Sequence, residues 1–210
     1  MTPKETDTAL AALWRELYGI RQKIAWSDSG LLSLAGAKYY YRGRQRVTDM
    51  KLADAIEIVT AAVGELAEYK ATHQVTESDG WVRTDWNDWK GRVAPYEADK
   101  PAEYLAKREA LLTEQFEKQA QIDALEATYT GWSRFFLVTS SPGHVHSSMH
   151  CSTCYPTTTF GWLPELSGQT EAEAVEELGP TLCTVCFPSA PVGWTSGKKI
   201  TAAQAAKKAA

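Results

Sequence analysis

Residues 146–186 read HSSMHCSTCYPTTTFGWLPELSGQTEAEAVEELGPTLCTVC, and the use made of their soft ligands decides the fold of the last third of the chain. The stretch holds all four cysteines and two of the four histidines of a 210-residue protein. Cys151 and Cys154 form one C-x-x-C pair, and Cys183 and Cys186 form a second. Two residues between thiolates let a tight knuckle aim both sulfurs at one ion about 2.3 Å away. The 28 residues between the pairs exceed the most compact two-knuckle spacing, and a strand and a short helix fill the difference. Four thiolates prefer a tetrahedral, borderline-soft ion. Spacing alone therefore points to zinc on Cys151, Cys154, Cys183 and Cys186. An iron–sulfur cluster usually comes with a different spacing. Four protein ligands leave no open position for water, which makes the expected site structural. A module of about 60 residues has little core of its own, so the ion would supply folding energy.

Around the ligands the local signals are those of a small αβ module. QTEAEAVEELG is a short helix, with Thr170 as cap, Glu173 at the capping-box position and Gly179 as stop. Upstream, GWSRFFLVTSS is a strand signature, Pro142-Gly143 is a turn, and HVHSSMHC reads as the return strand. Residues 1 to about 130 contain no cysteine and read as helical. TPKE is a helix start, after which Leu10, Leu13, Trp14, Leu17, Ile20 and Ile24 form one stripe, closed by SDSG and LAGAK. A second helix opens at Thr48 and buries Leu52, Ala55, Ile56, Val59, Val63, Leu66 and Tyr69. A third, capped by Asp99, carries Leu105, Leu112, Phe116, Ile122, Leu125 and Tyr129. Helices that each bury one stripe pack on one another. The expected fold class is α+β: a helical bundle or hairpin over 1–130, a zinc-binding module over 131–194, and an Ala/Lys-rich tail over 195–210.

Net charge is −4, so nothing global advertises nucleic acid or an anionic membrane as partner. No apolar run approaches the ~20 residues that span a bilayer, and MTPKETDTAL lacks the pattern of a secretory signal. The expectation is a cytoplasmic protein, where paired cysteines serve metals more often than disulfides.

The run Gly143–His146 (GHVH), then Cys151, then Glu173-Ala174, Gly179, Cys183, Cys186 and Pro188 is similar to the Ada-type metal-binding domain. The similarity spans about residues 135–190, with FFLVTSSPG matching that family's entering hairpin. It implies a small αβ zinc module whose ligands are His146, Cys151, Cys183 and Cys186, with Cys154 a bystander. The spacing argument keeps all four cysteines, with His146 as alternate, so both sets stand. In the family's DNA-repair member the first ligand is a cysteine that accepts a methyl group; here that position is His146, not a thiolate nucleophile. Residues 131–191 also carry five Glu and a single Arg, unlike a basic repair module. Both departures argue against methyl transfer. The whole chain also looks like small proteins of actinobacterial phages, which implies synthesis in a bacterial host.

Two further segments carry chemistry. KYYYRGRQR places Lys38, Arg42, Arg44 and Arg46 among three tyrosines. Cations neutralise phosphate and rings stack on unpaired bases; alternatively the tyrosines pack on the bundle and the arginines answer carboxylates. WVRTDWNDWKGR sets Trp81, Trp86 and Trp89 among Asp79, Asp85 and Asp88. That is either acid–base chemistry on sugars or a loop stapled by aromatic burial. His150 is a ligand only if the first knuckle shifts by one, and His144 and His73 read as surface histidines. Residues 155–182 contain no histidine, against a zinc-supported His-Asn-His nuclease, and Ser140, Ser141, Ser147 and Ser148 form no G-x-S-x-G elbow. The leading expectation is a non-enzymatic zinc-binding phage protein that acts through a protein partner. The alternatives are nucleic-acid binding through 38–46 and the tail, or a zinc- or thiolate-dependent DNA-modifying enzyme.

Overall fold

The computed structural model describes residues 1–140 and 143–192; Ser141, Pro142 and the expected tail lie outside the described residues. The fold is mixed α+β, with a helical N-terminal part and a C-terminal sheet region. The first helix is fastened at its start by a capping box. Thr2 Oγ1 accepts the Glu5 N–H at 3.2 Å, and Glu5 Oε2 accepts the Thr2 N–H at 2.8 Å. From there α1 runs Pro3–Leu34.

It passes straight through SDSG, where the sequence suggested a stop. The reason is tertiary. Ser27 is fully buried and donates its hydroxyl to the Tyr104 carbonyl at 3.2 Å, while Asp28 pairs with Arg108 at 2.6 Å. Gly30 leaves room for the Tyr104 ring, which lies 2.4 Å from where a Cβ would stand. These helix-breaking residues are thus a helix–helix contact. The helix ends instead at LAGAK, with Gly36 at φ +81° and the Ala37 N–H donating to the Leu32 carbonyl at 2.9 Å.

Two short hairpins interrupt the region that periodicity marks as helical. The first pairs β1 (Tyr39–Arg42) with β2 (Gln45–Thr48) in antiparallel register, around Gly43 at φ +66°. Thr48 therefore ends a strand, and α2 starts later, spanning Leu52–Thr72. The second pairs β3 (Gln74–Thr76) with β4 (Val82–Thr84) across a five-residue loop holding Asp79-Gly80. The third long helix, α3, spans Lys100–Glu126. Its buried residues are Pro101, Leu111 and Ile122, whereas Phe116, assigned to the apolar stripe from sequence, is 76% exposed.

Two compact units make up the described chain, and their boundaries fall inside α1 and α3. Residues 16–119 form one. Its core joins Leu31 of α1 and Ala35 just after it to Ala55 and Val59 of α2, sets Ile20 and Ile24 against Leu111, and packs Ala62, Leu66 and Val93 with Trp86 and Trp89.

The other unit combines residues 1–15 with those from 120 onward, so the start of α1 belongs with the C-terminal module. Asp7 shows the reason. It is fully buried, and its Oδ1 lies 2.9 Å from Arg134 Nη2 while its Oδ2 accepts the Trp132 indole N–H at 2.9 Å. Arg134 also reaches Glu126 Oε2 at 3.0 Å and covers the Tyr129 ring at 4.0 Å. A three-stranded antiparallel sheet follows, ordered β6-β5-β7: β5 is Phe136–Val138, β6 Val145–His146 and β7 Phe160–Trp162. The expected return strand is real but only two residues long. Helix α4 (Glu171–Leu178) forms as read from sequence, with the reciprocal Thr170–Glu173 capping box and Gly179 at its end. Phe135, Leu137, Val145, Leu163, Leu166, Ala174, Leu178, Leu182 and Phe187 close the core of this unit.

Candidate metal centre

Strand β5 fixes the first donor. Phe136 pairs with His146 and Leu137 with Val145, which sets His146 at the end of β6, fully buried. Val145 also bridges to Leu182, and the Cys183 N–H donates to the Val145 carbonyl at 2.9 Å. The C-terminal knuckle is thereby hydrogen-bonded to the strand that carries His146. Within it, the N–H groups of Cys186 and Phe187 both return to the Cys183 carbonyl, at 3.1 and 2.8 Å. Phe187 then stacks on Phe135 with centroids 5.5 Å apart, which anchors the knuckle to the core. The first knuckle is a tight turn closed by Cys154 N–H to Cys151 carbonyl at 3.0 Å.

This scaffold brings one donor atom each from His146, Cys151, Cys183 and Cys186 within 4.8 Å of one another. His146 Nδ1 lies 3.5 Å from Cys186 Sγ. A tetrahedral ion with sulfur at ~2.3 Å and nitrogen at ~2.0 Å needs N···S separations of about 3.5 Å. Three sulfurs and an imidazole nitrogen so placed could hold one metal ion. The structure thus assembles the set that the family resemblance implied. Cys154, which spacing alone included, is outside this group, although its Sγ lies 3.4 Å from His146 Nε2. His150 is exposed, in the turn before Cys151.

The electrostatics suit metal binding. Burial, and after it the neighbouring His144, pushes His146 down to about 4, so its ring is neutral at pH 7 with a lone pair available. Burial raises the Cys151 thiol, but hydrogen bonds from the Thr153 hydroxyl and backbone and with Cys186 and Cys183 together outweigh it, and the net shift is downward. The Thr153 Oγ1 stands 3.2 Å from Cys151 Sγ and 3.8 Å from Cys183 Sγ. Cys186 is raised by burial, partly offset by hydrogen bonds from the Ser147 backbone and hydroxyl. Cys154 is raised by burial and by the charge of Cys151. Sequence reading did not single out Thr153 and weighed Ser147 only as a nucleophile; Thr153 lies two residues from Cys151 and Ser147 adjoins His146. His144 is half-buried with its ring 4.4 Å from that of His146, not the surface histidine expected.

The other candidates lie elsewhere. Lys38, Arg42, Arg44 and Arg46 are all exposed on the β1–β2 hairpin or its root. Trp86 and Trp89 pack with Tyr69, which stacks on His73 at 3.9 Å, so His73 is a packed residue too. Asp79 and Asp85 accept the backbone N–H groups of Trp81 and Asn87, as turn caps do. Trp86 and Trp89 form the aromatic staple, while Trp81 is 75% exposed. Among the described residues, no helix is long and apolar enough to cross a membrane. No family model, curated protein or solved structure matches the chain.

Proposed function

We propose that this is a zinc-binding protein whose ion has a structural role, held by His146, Cys151, Cys183 and Cys186, and that it acts by binding a protein partner. The observation that carries the reading is the convergence of four soft donors from β6 and both knuckles. Thiolate and imidazole donors in a four-fold set favour zinc, and such a set is closed to water and substrate. The ion would tie β6 to both knuckles, which are separated in the chain by β7 and α4. What this chain's own residues do is hold the cage. Thr153 and Ser147 orient sulfurs, and Phe135 with Phe187 keeps the second knuckle in place. A partner-binding role also accommodates the exposed Trp81, Tyr96, Phe116 and Tyr155, since aromatic residues anchor protein contacts. The resemblance to phage proteins supports a bacterial cytoplasm as the setting of this proposal, where thiols stay reduced and open to metal.

The test is affinity purification of the intact chain from producing cells, with and without nuclease. The reading expects one bound zinc and a stoichiometric protein partner that survives nuclease and is lost with Cys183→Ser. A metal-free folded protein, or a partner retained only through nucleic acid, contradicts it.

A further inference from the structure

The β1–β2 hairpin carries side chains that the fold does not use. Every residue from Tyr40 to Arg46 is exposed, and none from Tyr39 to Thr48 is buried. An isolated two-stranded ribbon is marginal and gains from burying its rings. Yet Tyr40 is 54% and Tyr41 75% exposed. Core packing therefore does not account for Tyr40 and Tyr41, whereas the half-buried Tyr39 donates its hydroxyl to the Ser29 carbonyl at 3.5 Å.

The register shows what they present. Tyr39 and Tyr41 share one face, opposite Thr48 and Arg46, while Tyr40 and Arg42 share the other, opposite Val47 and Gln45. Side chains alternate across a strand, so each face offers an aromatic ring beside a guanidinium. The Arg46 guanidinium carbon lies over the Tyr39 ring, 3.9 Å from its centroid and diagonal across the pair.

The charge is one-sided. Lys38, Arg42, Arg44 and Arg46 are exposed, and among the described residues none of them forms an ion pair. Residues 38–48 contain no Asp or Glu. Asp49 at the root uses its Oδ1 on the Lys38 backbone N–H, at 2.9 Å. The arginines therefore do not answer the carboxylates that the alternative reading of this segment supposed.

We infer that the hairpin Lys38–Thr48 is a binding surface for single-stranded nucleic acid. The four cations follow the phosphates, and Tyr40 and Tyr41 stack on unpaired bases, one on each face. Exposed rings beside unpaired cations are what a flexible single strand recognises, because every base has a π-face. A duplex hides those faces in its own stack. The inference does not depend on the metal centre, which belongs to the other unit.

The test uses the full chain and a labelled oligothymidine of about 15 nucleotides, with a duplex of equal length alongside, read by fluorescence anisotropy. The single strand should bind more tightly than the duplex, and affinity should fall steeply as salt rises. Each neutralised phosphate contributes about −0.7 to the log–log salt slope of a single strand. Replacing Arg42, Arg44 and Arg46 together by Gln should flatten that slope by about 2. Tyr40→Ala and Tyr41→Ala should each weaken binding roughly 5-fold or more with the slope unchanged. Tyr41→Leu, which keeps the bulk and loses the stack, should behave like Tyr41→Ala. No binding at low salt, a duplex bound as tightly as the single strand, or full affinity in the triple-arginine variant would each overturn the inference. The last outcome would move any binding off the hairpin. Circular dichroism melts of the variants should match the parent, since the altered side chains are exposed.

Discussion

Replacing Asp7 with alanine tests the join between the start of α1 and the C-terminal module. The Asp7 carboxylate is fully buried and accepts two hydrogen bonds, from Arg134 Nε at 3.1 Å and Trp132 Nε1 at 2.9 Å, with Arg134 Nη2 a further ion-pair contact at 2.9 Å. Arg134 is 14% exposed, so alanine leaves a nearly buried guanidinium with Glu126, at 3.0 Å and 35% exposed, as its remaining carboxylate. Removing one partner of a buried pair costs about 3–5 kcal/mol. Glu126 compensates part of the charge, which favours the lower end, about 3 kcal/mol, and the orphaned indole N–H adds about 1 kcal/mol. For a chain of this length each kcal/mol moves the melting temperature by about 2–4 °C, so Asp7→Ala should lower it by roughly 8–16 °C. Urea unfolding followed by tryptophan fluorescence measures the loss directly. A double-mutant cycle with Trp132→Phe should return a coupling of about 1 kcal/mol. The loss should persist in 1 M salt, where the screening length is about 3 Å but cannot act on a buried pair. A cost under about 1 kcal/mol, or one that disappears in high salt, refutes the reasoning.

Other outcomes follow from single contacts. Gly30→Ala should destabilise the protein despite a propensity gain of about 1 kcal/mol, because its Cβ would sit 2.4 Å from the Tyr104 ring; Tyr104→Ala should restore much of the loss in thermal melts. Thr170→Ala should cost about 1 kcal/mol by removing the α4 cap. The Glu173 carboxyl is held below its usual range by hydrogen bonds from the Thr170 backbone N–H and hydroxyl. Its contribution is therefore complete above the ordinary carboxylate pKa and fades as pH falls through the lowered value. Melts of the parent and Glu173→Gln should differ at pH 7 and converge in acid. If the proposed ion is bound, a strong chelator should lower the melting temperature of the parent but leave that of Cys183→Ser unchanged.

The parts of the fold that sequence made legible are those whose causes are local. Thr170, Glu173 and Gly179 specify α4 within ten residues, and Phe136–Val138 form a strand by composition. The continuity of α1 through SDSG was hidden because tertiary contacts decide it: Tyr104 and Arg108, far along the chain, turn Ser27, Asp28 and Gly30 into a helix interface. The two N-terminal hairpins have strands of three or four residues, too short for an alternating pattern to stand out against helical flanks. Asp7 looked like one polar residue beside an apolar stripe, and its partners lie more than 120 residues away. At the candidate metal centre, spacing identified the cysteine pairs but not which sulfurs converge. That depends on β5 holding His146 opposite Phe136 and on the Val145 carbonyl receiving the Cys183 N–H, both long-range. Only the resemblance carried His146 ahead of Cys154.

The visible absorption spectrum of cobalt-substituted protein, taken on the parent and on His146→Ala and Cys154→Ser, tests the ligand set most directly. One tetrahedral cobalt per chain with three sulfurs and one nitrogen, unchanged in Cys154→Ser and altered in His146→Ala, is the expected result. A four-sulfur spectrum that survives His146→Ala and is lost in Cys154→Ser would contradict the centre described here.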